Sequence, residues 1–212
     1  MLKITTITFP CFAANCYLVT DEKTGEALLI DPGSYGERQK AFIKAQGVES
    51  LKYILLTHGH FDHMIGVERF RSTFSGEVVI HEDDKDKISS AEGSLYSRFE
   101  REIPFVQATA DITVKDGDKL TFGEYEIEVI HTPGHTKGGV CYKIGDVLFT
   151  GDTLFKDSIG RVDFPDSDKE EMLASLKKLY SLDGDYKVYP GHESATTLDF
   201  ERKYNYYMKL CR

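Results

Sequence analysis

The chain has 212 residues, 41% of them hydrophobic and 29% charged, enough for one sizeable core and ordinary for a water-soluble domain. A formal net charge of −9 with no Lys/Arg stripe argues against nucleic acid as a partner. No apolar stretch approaches the length of a membrane span.

The uncharged run Ile4–Thr20 follows Lys3, but Pro10, Asn15 and the threonines at 5, 6 and 8 give it strand-and-turn character rather than that of a signal peptide. Residues 2–8 and 15–20 read as two strands with a turn at Pro10. A short strand over 27–30 stops at Asp31-Pro32-Gly33, a helix is expected over 34–46, and Gly47 ends it. Residues 51–56 form a buried strand that runs into Thr57-His58-Gly59-His60-Phe61-Asp62-His63, followed by a helix to Phe74 and a strand at 78–80. Residues 82–110 lack periodicity and read as an insertion of short helices and loop, either a cover for a cleft or a surface excursion.

Tyr125, Ile127 and Val129 alternate with glutamates, as in a half-buried strand. Residues 140–144 and 147–150 make a hairpin turning at Gly145-Asp146. Ser167 with Glu170 predicts a capping box for a helix through Tyr180. A last strand at 187–189 and a helix over 197–208 complete the pattern. The four cysteines, Cys11, Cys16, Cys141 and Cys211, show neither a CxxC pair nor a structural zinc spacing, which suits reduced thiols in a cytoplasmic protein.

Chemistry concentrates at the ends of strands. Three histidines and an aspartate fall within six residues at 58–63, and imidazole and carboxylate donors so spaced suit zinc, iron or manganese. Thr132-Pro133-Gly134-His135, Gly151-Asp152-Thr153-Leu154 and Tyr189-Pro190-Gly191-His192 each place one ligand-type side chain in a glycine-containing turn after an apolar strand. Such turns can converge at one edge of a sheet. His81 and His131 lack such a context and read as structural, although His131, four residues before His135, is near enough to support it.

The series THGHFDH, TPGHT, GDTLF and PGHE resembles the metallo-β-lactamase superfamily and, within it, the short glyoxalase II-like hydrolases; the likeness runs from Asn15 to Arg202. The resemblance implies an α/β (α+β) fold: an αββα sandwich of two mixed sheets flanked by helices, in a single domain over 1–212. It implies two divalent metal ions, zinc first, with iron or manganese as alternatives. One ion would take His58, His60 and His135, the other Asp62, His63 and His192, and Asp152 would bridge them. A hydroxide shared by the ions, oriented by Asp62 and Asp152, would attack a small-molecule acyl-thiol such as S-lactoylglutathione. Asp31 would steady a ligand from behind, and Arg161 would receive a substrate carboxylate.

The sequence departs from the long glyoxalase II pattern. It stops twenty residues after His192, so the extra glutathione-binding helical domain is not expected, and Ser194 and Val162-Asp163 stand where that pattern has aromatic contacts. Gly160-Arg161-Val162-Asp163-Phe164 also resembles the persulfide dioxygenases of the same fold, which use one iron on the equivalents of His58, His135 and Asp152. A phosphodiesterase would need basic surface that the chain lacks.

Overall fold

Apolar alternation and short turns generate two sheets. In the computed structural model, which describes residues 1–7, 14–99 and 104–211, β1 (Leu2–Ile7), β2 (Cys16–Asp21) and β3 (Ala27–Ile30) form an antiparallel meander. Helix α1 (Glu37–Ala45) then crosses to β4 (Tyr53–Leu55), and α2 (Phe61–Met64) and α3 (Val67–Phe74) cross to β5 (Glu77–His81). β6 (Ile112–Val114) completes a six-stranded sheet in which β3 to β6 run parallel.

The second sheet begins with β7 (Lys119–Phe122), β8 (Tyr125–His131), β9 (Val140–Ile144) and β10 (Val147–Gly151), all paired antiparallel. A two-stranded hairpin, β11 (Leu154–Phe155) with β12 (Ser158–Ile159), and helix α4 (Lys169–Tyr180) follow. β13 (Lys187–Pro190) lies parallel to β10, and β14 (Thr196–Thr197) closes that edge before α5 (Leu198–Tyr204) and α6 (Tyr206–Lys209).

Side-chain alternation then fixes the layers. Leu28, Ile30 and Leu55 of the first sheet meet Val129, Tyr142 and Phe149 of the second in a shared core. The opposite face of the first sheet packs on Ile43, Phe70 and Phe74 of its helices, and that of the second on Met172, Leu176 and Met208. The order is helix, sheet, sheet, helix, as expected. β8, β10 and β13 point the same way, so the turns after them open at one edge, where Val140 N–H donates to the Thr57 carbonyl across the sheets at 2.9 Å. Among the described residues no helix is long and apolar enough to cross a membrane.

Several boundaries differ from the sequence reading. The helix expected over 63–74 is broken at Gly66, whose N–H donates to the Pro32 carbonyl at 2.8 Å, and a Cβ there would lie 2.3 Å from the Ser34 carbonyl oxygen. The capping box at Ser167 is not formed. The Asp168 carboxylate caps α4 instead, accepting from Glu170 and Glu171 N–H, while Ser167 Oγ donates to the His135 carbonyl. Asn205 divides the terminal helix by capping α6 with its own side chain. Arg202 donates to the Tyr180 and Gly184 carbonyls, a clamp on the loop after α4. The turn at Pro10, Cys11 and residues 100–103 of the insertion lie outside the described residues; the remaining cysteines are free and buried.

Candidate metal centre

Strand ends deliver each of the histidines and aspartates singled out from the sequence to one place. His58 and His60 leave β4, Asp62 and His63 lie in α2, and His135, Asp152 and His192 follow β8, β10 and β13. Donor atoms of His58, His60 and His135 lie within 4.8 Å of one another, and so do those of Asp62, His63 and His192. Asp152 stands between the groups: Oδ2 is 3.4 Å from both His135 Nε2 and His192 Nε2, and Oδ1 is 3.4 Å from His63 Nε2. Donors bonded tetrahedrally to one ion at about 2.0–2.1 Å stand about 3.4 Å apart, the spacing seen here.

Some donor atoms make no hydrogen bond, while His60 Nδ1 and His135 Nε2 meet at 2.9 Å. Nε2 of His58, His60 and His63 and Oδ1 of Asp152 are buried with no hydrogen-bond partner. Buried polar groups are nearly always paired, so the unpartnered nitrogens of His58 and His63 and the Asp152 oxygen, gathered in one group, fit metal ligands. Burial, aided by neighbouring imidazoles, holds His58 and His60 well below the ordinary histidine pKa, which leaves them neutral with a lone pair to give. Burial acts the same way on His63, yet Asp152, Asp31 and Asp62 push it up to about 10. Three carboxylates therefore make that spot favourable for positive charge.

Groups behind the donors fix their aim. Asp31, buried and with a left-handed backbone (φ 51°), accepts from Thr57 N–H at 2.8 Å, from Thr57 Oγ1 at 2.6 Å and from His63 Nδ1 at 3.0 Å. It thus steadies both a ligand loop and an imidazole. His135 Nδ1 donates to the Arg161 carbonyl at 2.8 Å. Gly191 is required by contact, because a Cβ there would fall 2.2 Å from Asp152 Oδ1.

Sequence reasoning missed Asp84. Its buried carboxylate accepts from Gly59 N–H and Gly138 N–H, both at 2.9 Å, and ties the loop between His58 and His60 to the loop after His135. The acidic run 82–84 hid it, since nothing distinguishes one of three acidic residues without the fold. His81 and His131 prove to be a pair, stacked with ring centroids 4.0 Å apart beside Asp83, and neither lines the cleft.

The centre floors a cleft of about 320 Å³. Asp62 and His192, 24% and 22% exposed, face it, whereas His58 and His63 lie behind. The insertion contributes a wall through Leu95 and Phe99, which decides between the two roles expected for it. Arg161 reaches the rim, but its guanidinium grips Asp163 bidentately (Nε–Oδ1 2.8 Å, Nη2–Oδ2 2.9 Å) and lies 4.4 Å over the Phe164 ring.

A family model for the metallo-beta-lactamase superfamily matches residues 9–192. The chain belongs to that superfamily. Among curated members, the hydroxyacylglutathione hydrolase GloC of Haemophilus influenzae is 34% identical over 96% of this chain and 97% of its own. Among solved members, the BLEG-1 B3 metallo-beta-lactamase superposes with a TM-score of 0.89 at 33% identity, covering 98% of this chain and 99% of its own. TTHA1623, solved in a di-iron-bound form, gives 0.83 at 32% identity, over 96% and 99%. The superfamily accounts for the four-layer fold and for the clustered His/Asp donors at its open edge.

Proposed function

We propose that this chain is a dinuclear metal-dependent thioesterase, converting an acyl thioester and water to a carboxylic acid and a thiol. The observation that carries the reading is Asp152 lying between two three-residue donor groups at the floor of one cleft. His58, His60 and His135 would hold one ion, Asp62, His63 and His192 the other, and Asp152 both. Zinc is the ion proposed first, and nitrogen and carboxylate donors accept iron or manganese as well. Such ions acidify water to a pKa of about 7 and polarise a carbonyl, which makes a hydroxide nucleophile available at neutral pH.

The chain's own residues do the rest. No serine or cysteine is among the described residues lining the cleft, so attack by water rather than by a side chain fits the site. Asp62, open to the cleft, accepts a hydrogen bond from the attacking water, takes its proton and returns it to the departing sulfur. His58 and His60, kept neutral by burial, donate electrons without competing for that proton.

The hydroxyacylglutathione hydrolase GloC makes S-lactoylglutathione the first thioester to test, with simple alkyl thioesters as the comparison. A persulfide dioxygenase, the alternative suggested by residues 160–164, needs one iron, and the second group of Asp62, His63 and His192 would then be surplus. The test is thiol release from S-lactoylglutathione and simple alkyl thioesters by zinc-, iron- and manganese-loaded protein, alongside oxygen uptake with glutathione persulfide. Thiol release that a chelator abolishes is expected. Oxygen uptake with no thioester cleavage in any metal form would overturn the proposal.

A further inference from the structure

The rim of the cleft bears on which thioesters fit, and the inference below rests on the thioesterase reading. Among the described lining residues the apolar ones are Phe61, Leu95, Phe99, Phe155, Ile159 and Phe164, contributed by α2, the insertion, the β11–β12 hairpin and the segment before α4. Leu95 is placed there by a left-handed backbone (φ 64°), a conformation that non-glycine residues adopt only at a cost. Phe155 stands edge-on to His192 at 5.8 Å and Phe164 edge-on to His60 at 5.3 Å, so the apolar surface continues down to the donors. Arg161 is the one Lys or Arg among those lining residues, and Asp163 fills its Nε–Nη2 edge and offsets its charge.

We propose that Asp163 masks Arg161, so that the cleft takes thioesters with apolar arms and discriminates against arms that end in a carboxylate, the thiol arm of S-lactoylglutathione among them. An incoming carboxylate either displaces from the Nε–Nη2 edge a bidentate partner only two residues away in the chain, whose effective concentration is high, or binds beside that partner against its negative charge. An apolar arm displaces nothing and covers aromatic surface. Asp163 is therefore a specificity-determining residue that need not touch the reacting atoms. The pair is exposed, its side chains 63% and 66% accessible, so the mask is a moderate one and removable without harm to the fold.

The experiment compares three thioesters of equal length on zinc-loaded protein: S-propyl hexanethioate, the analogue with a terminal carboxylate on the acyl arm, and the analogue with it on the thiol arm. The wild type is expected to favour the uncharged ester in kcat/KM by about tenfold or more. Asp163→Ala should shrink that preference about 3- to 10-fold by raising kcat/KM for a carboxylate-bearing ester, and the arm that gains shows which half of the substrate lies on the rim. In Arg161→Gln/Asp163→Ala the gain should vanish, because the carboxylate then has no receiver. Equal cleavage of the three esters by the wild type, or a gain that persists without the Arg161 guanidinium, overturns the mask while leaving the thioesterase reading intact. Cleavage of none by fully metal-loaded protein overturns both.

Discussion

The inner and outer parts of the site are built on different principles. At the floor, His58, His60, His63 and Asp31 are nearly inaccessible, and the rear nitrogens of His58 and His63 are tied to Thr57 and Asp31. At the rim, half-exposed aromatic rings and one exposed ion pair line the opening, with few hydrogen bonds to hold them. Buried and cross-linked groups can tolerate little change, whereas exposed ones can vary without cost to the core. The floor therefore defines the chemistry, and the rim defines what is brought to it.

That contrast can be broken most severely at Asp152. Asp152→Ala removes the carboxylate between the two donor groups and should lower thioester cleavage roughly a thousandfold or more, measured at saturating zinc, because neither group then shares a partner with the other. Retention of activity within about tenfold would place the chemistry elsewhere. Asp31→Ala strands Thr57 N–H and His63 Nδ1 in a buried site and leaves Thr57 Oγ1 with His58 Nδ1 alone. It should cost about 3 kcal/mol or more in urea unfolding and weaken zinc binding about 10- to 100-fold by chelator competition.

Asp84→Ala leaves two buried backbone N–H groups without acceptors and should cost about 2–3 kcal/mol, with a smaller loss of zinc affinity than Asp31→Ala because no ligand side chain is released. A destabilisation below about 0.5 kcal/mol would show that the two loops are held apart from this carboxylate. Phe155→Ala should act only at the rim. KM for an alkyl thioester is expected to rise about 3- to 10-fold, as for loss of 1 kcal/mol or so of apolar contact, with zinc stoichiometry unchanged. Should Phe155→Ala instead reduce zinc binding, floor and rim would not be separable.

The same division governs what the sequence discloses. The floor is legible because its donors are rare residue types at strand ends: three histidines and Asp62 within six residues, then Gly134-His135, Gly151-Asp152 and Gly191-His192 in similar turns. Strands read well where one face is wet, as in 125–129, and where Gly145-Asp146 sets a hairpin. Asp84 was not legible, since its role depends on Gly59 and Gly138 approaching from opposite halves of the chain. Nor was the pairing of Arg161 with Asp163: residues two apart share one side of any extended stretch, so the spacing alone does not mark an ion pair. Ser167 misled because Ser-x-x-Glu is a local pattern, and the neighbouring Asp168 offers the α4 N–H groups a stronger, charged acceptor.

The most direct test of the account is a zinc titration of chelator-stripped protein, with a competing chromophoric chelator reporting uptake per chain. Two equivalents are predicted for the wild type, with one of them lost or greatly weakened in His192→Ala. A single equivalent in the wild type, unaffected by His192→Ala, would contradict the claim that Asp152 joins two metal-binding groups in one centre.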